Sequence, residues 1–279
     1  GTDVNPVMLE VFNNIFMSIA EQMGVVLANT ASSVNIKERL DFSCALFDAT
    51  GGLIANAPHL PIHLGSMGES VQTILRERKN SIRPGQVFTL NAPYNGGTHL
   101  PDITVISPVF DSQKKNVLFF VGSRGHHADV GGITPGSIPP FSRSVEEEGI
   151  LIDNFLLVED GRLRETELRK LLASGSNPAR NPDQNINDYK AQIAANERGS
   201  KELQRTIDKY GLDTVLAYMD HVKANAAESV REVLDALTDG NFELNLDHGG
   251  KIKVAIAVDK INRRATVDFT GTSEQLDSN

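Results

Sequence analysis

The sequence predicts an α+β fold: a mixed, largely antiparallel sheet with flanking helices and a helical-hairpin insertion. Three observations predict it. A helical apolar period opens the chain, and short apolar segments broken by turn residues fill much of residues 42–121. Two further helical periods flank Gly211, and strict alternation then returns from Lys251. This divides the chain into an α+β region at 1–184 that carries the candidate site, a helical hairpin at 185–240, and strands at 241–279 that return to the sheet.

Pro6 to about Asn29 is predicted helical. Leu9, Phe12, Ile15, Phe16, Ile19, Met23 and Val26 recur at spacings of three and four, and Pro6 suits a first helical turn, while Gly24 weakens the far end. Phe42–Ile54 carries Asp48-Ala49-Thr50-Gly51-Gly52 between apolar segments, a hairpin signature. Gln86–Leu90, Thr104–Phe110 and Asn116–Val121 read as strands, the last two joined by a turn at Asp111–Lys115. If these strands pair as a meander, the loops Asn91–Asp102 and Ser123–Gly132 lie at the same end of the sheet. Ile133–Phe141 is too rich in Pro and Gly for regular structure. Ile186 through Tyr210 and Leu212 through Leu237 place apolar residues on helical faces, with Gly211 breaking the run. Lys251–Val258 and Ala265–Phe269 alternate as two antiparallel strands about an Asp259–Arg264 turn.

The composition narrows the function. Among 279 residues, 27 Lys and Arg stand against 36 Asp and Glu, a formal charge of -9. So acidic a chain has no general attraction for nucleic acid or an anionic membrane, and solubility is the simplest reading of the charge. One cysteine, Cys44, excludes an internal disulfide and fits a reducing, cytoplasmic compartment; in its apolar surroundings it reads as a small buried hydrophobe. No run of roughly eighteen apolar residues predicts a membrane span, and the N-terminus has no secretory pattern. Gly1 in place of Met implies a start that was cut, tagged or taken from inside a longer polypeptide. No phosphate-binding Gly-Lys-Ser/Thr loop, dinucleotide Gly fingerprint or Gly-x-Ser-x-Gly elbow is present, and Gly131–Gly136 reads as a structural turn.

The histidines carry the chemistry. There are 7, and His59, His63, His99, His126 and His127 fall within one quarter of the chain, all in Gly/Pro-rich stretches that read as loops. His99 and Asp102 are three apart, a spacing that faces opposite sides in a strand, while Pro101 disfavours a helix. A turn brings the two together, and Gly96-Gly97 with Leu100-Pro101 supplies it. An imidazole and a carboxylate suit a divalent transition metal. The third ligand would come from His126 or His127, between which spacing does not choose. Three protein ligands with open positions are the layout of a catalytic metal site. Taken singly, each histidine reads first as satisfying backbone groups at a strand end; clustering, with Asp102 and Asp129 interleaved, favours chemistry.

At these loops the sequence resembles the hydantoinase B/oxoprolinase family. The resemblance rests on Asn35–Phe47, on Ala57-Pro58-His59-Leu60-Pro61-Ile62-His63-Leu64-Gly65-Ser66-Met67, on Gly96-Gly97-Thr98-His99-Leu100-Pro101-Asp102, and on Ser123–Gly136. Tyr210-Gly211-Leu212-Asp213 and Asp268-Phe269-Thr270-Gly271-Thr272 complete it. Phe16–Gly24 and Ser123–Gly132 look most like the oxoprolinase branch. The resemblance implies a metal held by His99, Asp102 and His126, of Zn, Mn or Fe type. It implies His127 as the acid–base or supporting group, with His63 and Asp41 as further catalytic wall residues.

It also implies a division of labour. A hydantoinase-A-like part, fused or separate, uses ATP and Mg to phosphorylate a lactam carbonyl. The B-type part then hydrolyses the activated ring, 5-oxo-L-proline to L-glutamate. Asn279 falls in mid-pattern, so the chain is expected to be a fragment of the active enzyme, and a homo-oligomeric assembly is expected. Two rivals stand: a subunit of an N-methylhydantoinase or an acetone/acetophenone-type carboxylase, and a non-catalytic assembly subunit.

Overall fold

In the computed structural model, residues 1–57 and 59–277 are described; Pro58 of the second family segment and the terminal Asn279 lie outside them. Helix α1 (Pro6–Thr30) starts where Asn5 accepts the amides of Val7 and Met8, a side-chain cap on a proline-led first turn. By length and mean hydropathy, 1.3 over its most apolar window, α1 would pass as a membrane span, which the sequence reading did not expect. Its apolar face is instead core: Phe12, Phe16, Met23 and Leu27 are fully buried. Burying each such side chain stabilises by about 1.5–3 kcal/mol.

A short α2 (Val34–Lys37) leads into the hairpin β1 (Phe42–Asp48) and β2 (Leu53–Asn56), with Asp48 Oδ1 accepting the Thr50 and Gly52 amides at the turn. A 3-10 turn at Pro61–His63 then opens directly into α3 (Leu64–Arg78). Strands β3 (Val87–Leu90), β4 (Asp102–Phe110) and β5 (Val117–His126) follow as the expected meander. The last runs five residues past the predicted end at Val121. A one-turn α4 (Val145–Glu148), strands β6 (Phe155–Glu159) and β7 (Arg162–Leu163), and α5 (Glu165–Leu172) come next. The long helices α6 (Pro182–Tyr210) and α7 (Leu212–Ala236) meet at Gly211, whose φ of 84° suits a glycine.

The seven-stranded sheet has the order β2-β1-β5-β4-β3-β6-β7, and among the described residues every pairing in it is antiparallel. Its two faces carry different cores. Phe42, Cys44, Leu46 and Val121 point into a cluster with α1, α6 and α7; Ala45, Phe47, Phe88, Ile106 and Phe120 point at Met67, Val71 and Ile74 of α3. Cys44 is the buried hydrophobe expected, its thiol pushed up by desolvation. Helix α6 lies across the first face and is fastened to it by polar contacts. Gln192 donates to the Ile103 and Ser123 carbonyls and Asn196 to that of Val105. Gly199 permits the close crossing of α1, since a Cβ there would stand 2.5 Å from Met23 Sδ.

Residues 241–279 do not return to the main sheet as predicted. Strands β8 (Gly240–Asn245), β9 (Lys251–Asp259) and β10 (Arg264–Asp268) form a separate three-stranded antiparallel sheet. Register explains the alternation that was read correctly. Phe242 opposes Val254, Leu244 opposes Ile252 and Val267 opposes Ile256, so one face is apolar, and Phe242, Leu244 and Val267 are exposed on it.

Candidate metal and active site

The site lies at the end of the α3 face of the sheet. Asp102, first residue of β4, is paired in register with His126, last residue of β5, so their side chains leave the sheet on the same side. Two positions further in, Thr104 and Arg124 form the next pair on that face. The turn expected at Gly96–Pro101 brings His99 back over Asp102. Gly97 is required there: a Cβ would stand 2.3 Å from the Asn91 carbonyl oxygen. Asn91 closes the loop from inside, donating to the Leu100 and Ile150 carbonyls and accepting the Ile152 amide.

His99 Nδ1 lies 2.9 Å from Asp102 Oδ2, and His126 Nδ1 lies 3.1 Å from Asp102 Oδ1. Donor atoms of all three residues fall within 4.8 Å of one another, as do those of Asp41, His63 and Asp102. His63 Nε2 is 3.4 Å from Asp102 Oδ2 and 3.8 Å from Asp41 Oδ1. Its other nitrogen, Nδ1, meets Ser43 Oγ at 3.1 Å, and that hydroxyl donates its proton to the Leu60 carbonyl. With Nδ1 engaged by Ser43, Nε2 is the ring nitrogen that faces Asp41, Asp102 and the cavity. The cavity, of about 360 Å³, is walled by these residues with Leu60, Ile62 and Thr98.

Electrostatics follow the packing. Burial pushes the Asp102 carboxyl up, but the contacts from His126, His63 and His99 outweigh it and hold it far below the usual carboxylate range. The Asp102 hydrogen bond raises His99, against an opposing burial effect. Asp102 is 4% exposed and, among the described residues, has no Lys or Arg ion pair. Buried anionic oxygens ringed by imidazole nitrogens fit a divalent cation of the transition series.

Of the predicted site residues, His99, Asp102, His126, His63 and Asp41 converge. His127 does not, which corrects its expected acid–base role. The residue after His126 leaves β5 toward the opposite face, where His127 is buried against Tyr189 of α6. Its Nε2 donates to Gln192 Oε1 at 2.9 Å, an orientation fixed because the Gln192 amide nitrogen donates to the sheet. Its Nδ1 accepts from Asn185 Nδ2 at 3.0 Å. Desolvation lowers its pKa, and a neutral ring with both nitrogens engaged serves packing.

Two other flagged residues also lie elsewhere. Asp129 folds the Gly131–Gly136 turn through its amides and Arg180, in keeping with the structural reading of that turn. His59 packs on Phe42, ring centroids 4.4 Å apart, over the space left by Gly24. One residue was missed: Arg124, fully buried behind Asp102, its guanidinium pulled down to about 10 by desolvation against the opposing Asp102 charge. The signal that would have found it is strand alternation, which pairs it with Thr104 beneath the Asp102–His126 pair.

Fold and site together define an antiparallel α+β protein with a His/Asp candidate metal centre on one sheet face. The chain belongs to the hydantoinase B/oxoprolinase family, whose model matches residues 5–279. It is 45% identical over its whole length to a protein named 5-oxoprolinase from Dictyostelium discoideum, and 47% identical over 98% of its length to 5-oxoprolinase 1 of Arabidopsis thaliana. It spans only 22% and 23% of those relatives. Among solved structures, an ATP-dependent caprolactamase from Pseudomonas jessenii superposes with a TM-score of 0.81 at 27% identity, over 95% of this chain and 46% of that one.

Proposed function

We propose that this chain supplies the hydrolytic site of an ATP-dependent lactamase that converts 5-oxo-L-proline to L-glutamate, working with a hydantoinase-A-like ATP-binding part in the cytoplasm. The observation that carries the reading is the convergence of His99, Asp102 and His126 on one point of a cavity beside His63 and Asp41. The names of the 45–47% identical relatives supply the substrate class, and the caprolactamase likeness supports lactam chemistry coupled to ATP.

An unstrained lactam resists attack by water, and phosphorylation of its carbonyl oxygen by the ATP-binding part makes the carbon electrophilic. A divalent ion held by His99, Asp102 and His126 would supply Lewis-acid chemistry at the reacting oxygen. His63 Nε2, the ring nitrogen facing the cavity, takes the proton from the attacking water. Asp41, the more exposed carboxylate at 28%, lies 3.8 Å from that same nitrogen and stabilises the imidazolium that forms. As the ring C–N bond breaks, the same Nε2 returns its proton to the leaving nitrogen, and a second water hydrolyses the resulting acyl phosphate to the glutamate carboxylate and inorganic phosphate. Leu60 and Ile62 form the apolar part of the wall.

The test uses the complete enzyme, purified without chelators. The expected result is about one Zn, Mn or Fe per chain, lost in His99→Ala together with 5-oxoproline-dependent ATP turnover. Negligible metal in the wild type would sink the metal reading. Turnover supported by hydantoins or ketones but not 5-oxoproline would move the substrate to another branch of the family. Intact turnover in His99→Ala would leave a non-catalytic assembly role.

A further inference from the structure

We infer that Arg124 is the positioning residue of this site: one buried guanidinium ties together the four chain segments that carry His63, His99, Asp102 and His126. The inference rests on the metal-site reading above and adds to it what holds the ligands in place. Arg124 has no exposed surface, and no carboxylate lies within ion-pair distance of it among the described residues. Burying a guanidinium in that way is unfavourable unless its donors are satisfied, and here they are satisfied by groups next to site residues.

The Nε donates to Thr104 Oγ1 at 2.7 Å, two residues beyond Asp102 on β4. One terminal nitrogen donates to Ser66 Oγ on α3, and that hydroxyl in turn donates to the His63 carbonyl. The other donates to Ser70 Oγ at 2.9 Å and to the Gly96 carbonyl at 3.4 Å; Ser70 itself donates to Gly96, three residues before His99. Arg124 itself stands two residues before His126 on β5. A planar fork with donors in three directions makes all these links at once, a geometry that a lysine lacks. Each of the four site segments is thus fixed by the same group, at most one hydroxyl removed.

Charge and position predict opposite signs, which makes the inference testable. Removing a positive charge near a cation site tightens metal binding if charge alone matters; losing the ties loosens it. The experiment measures metal affinity by chelator competition in the full-length protein, for wild type, Arg124→Lys, Arg124→Met and the double variant Ser66→Ala/Ser70→Ala. The double variant keeps the guanidinium charge while cutting the links to α3 and, through Ser70, to Gly96 of the His99 loop, and it decides the matter if Arg124→Met does not fold. Affinity is expected to fall about 10–100-fold in Arg124→Lys and in the double variant. Unchanged or tighter binding in the folded variants overturns the inference while leaving the metal site standing. A wild-type protein that binds no metal overturns both.

Discussion

The two faces of the main sheet at the end of β5 give adjacent histidines opposite work. On the α3 face, His126 is part of a polar cluster in which a buried carboxylate is shared among imidazoles and opens to a cavity. On the α6 face, His127 is sealed beneath a helix, with each ring nitrogen in a neutral hydrogen bond. Polar groups are abundant on both sides. What differs is what they face. Gln192, Asn185 and Asn196 donate to sheet and loop carbonyls, and Gln192 and Asn185 also hold His127, so that face is a fastening. The Asp102 face gathers three imidazole nitrogens around one buried carboxylate beside a cavity, so that face can take a ligand. The comparison predicts that substitutions on the first side change chemistry and on the second change stability.

The largest effect should come from His63→Gln, which removes the Nε2 base from the cavity wall. Turnover of the complete enzyme should fall by about 10²–10⁴-fold, with metal content unchanged. Metal lost in parallel with activity would instead make His63 a ligand, and the division between holding and proton transfer would fail. On the other face, His127→Ala should leave metal content intact and destabilise the protein by about 2–4 kcal/mol. It removes a buried ring and strands the Gln192 and Asn185 groups that it satisfied. Urea unfolding alongside elemental analysis separates these outcomes; loss of metal at unchanged stability would break the comparison.

How much of this was legible beforehand depended on period. The spacing in α1 and α6 and the alternation in β9 and β10 were readable because each element buries one regular stripe or alternates cleanly. The pairing of His99 with Asp102 was readable from the turn chemistry between them. The choice between His126 and His127 was not, because Ser123-Arg124-Gly125 looks like a loop. Its glycines have a tertiary cause. A Cβ on Gly122 would meet Ile106 Cδ1 at 2.9 Å, and one on Gly125 would meet Ile36 Cδ1 at 2.8 Å, so close packing rather than a turn requires them. Had β5 been extended to His126, a period of two would have set His127 on the far side. Helix α3 was hidden for a related reason. Its first turns are Gly65, Ser66, Gly68 and Ser70, poor helix formers in isolation, and the serines are held by the Arg124 guanidinium.

The smallest effect is the pH dependence of the fastening face, which sharpens the comparison in the metal-free protein. Burial lowers the pKa of His127, so the folded state resists protonation that the unfolded chain accepts near pH 6.5. The stability due to the neutral ring is therefore fully present above about pH 6.5 and is lost as pH falls toward the folded value, at up to about 1.4 kcal/mol per pH unit. His99 has the opposite sign. Its pKa is raised by Asp102, so its contribution is present below about pH 6.5 and is lost as pH rises through the folded value. Because the two oppose each other, the wild-type curve alone does not isolate either. The difference between wild type and His127→Gln does. Wild type should lose about 1 kcal/mol relative to the variant between pH 7.5 and 5.5, read by urea unfolding with chelator present. A difference that stays flat across that range would mean that His127 takes up its proton in the folded state, and the α6 face would then be a titrating surface like the one opposite.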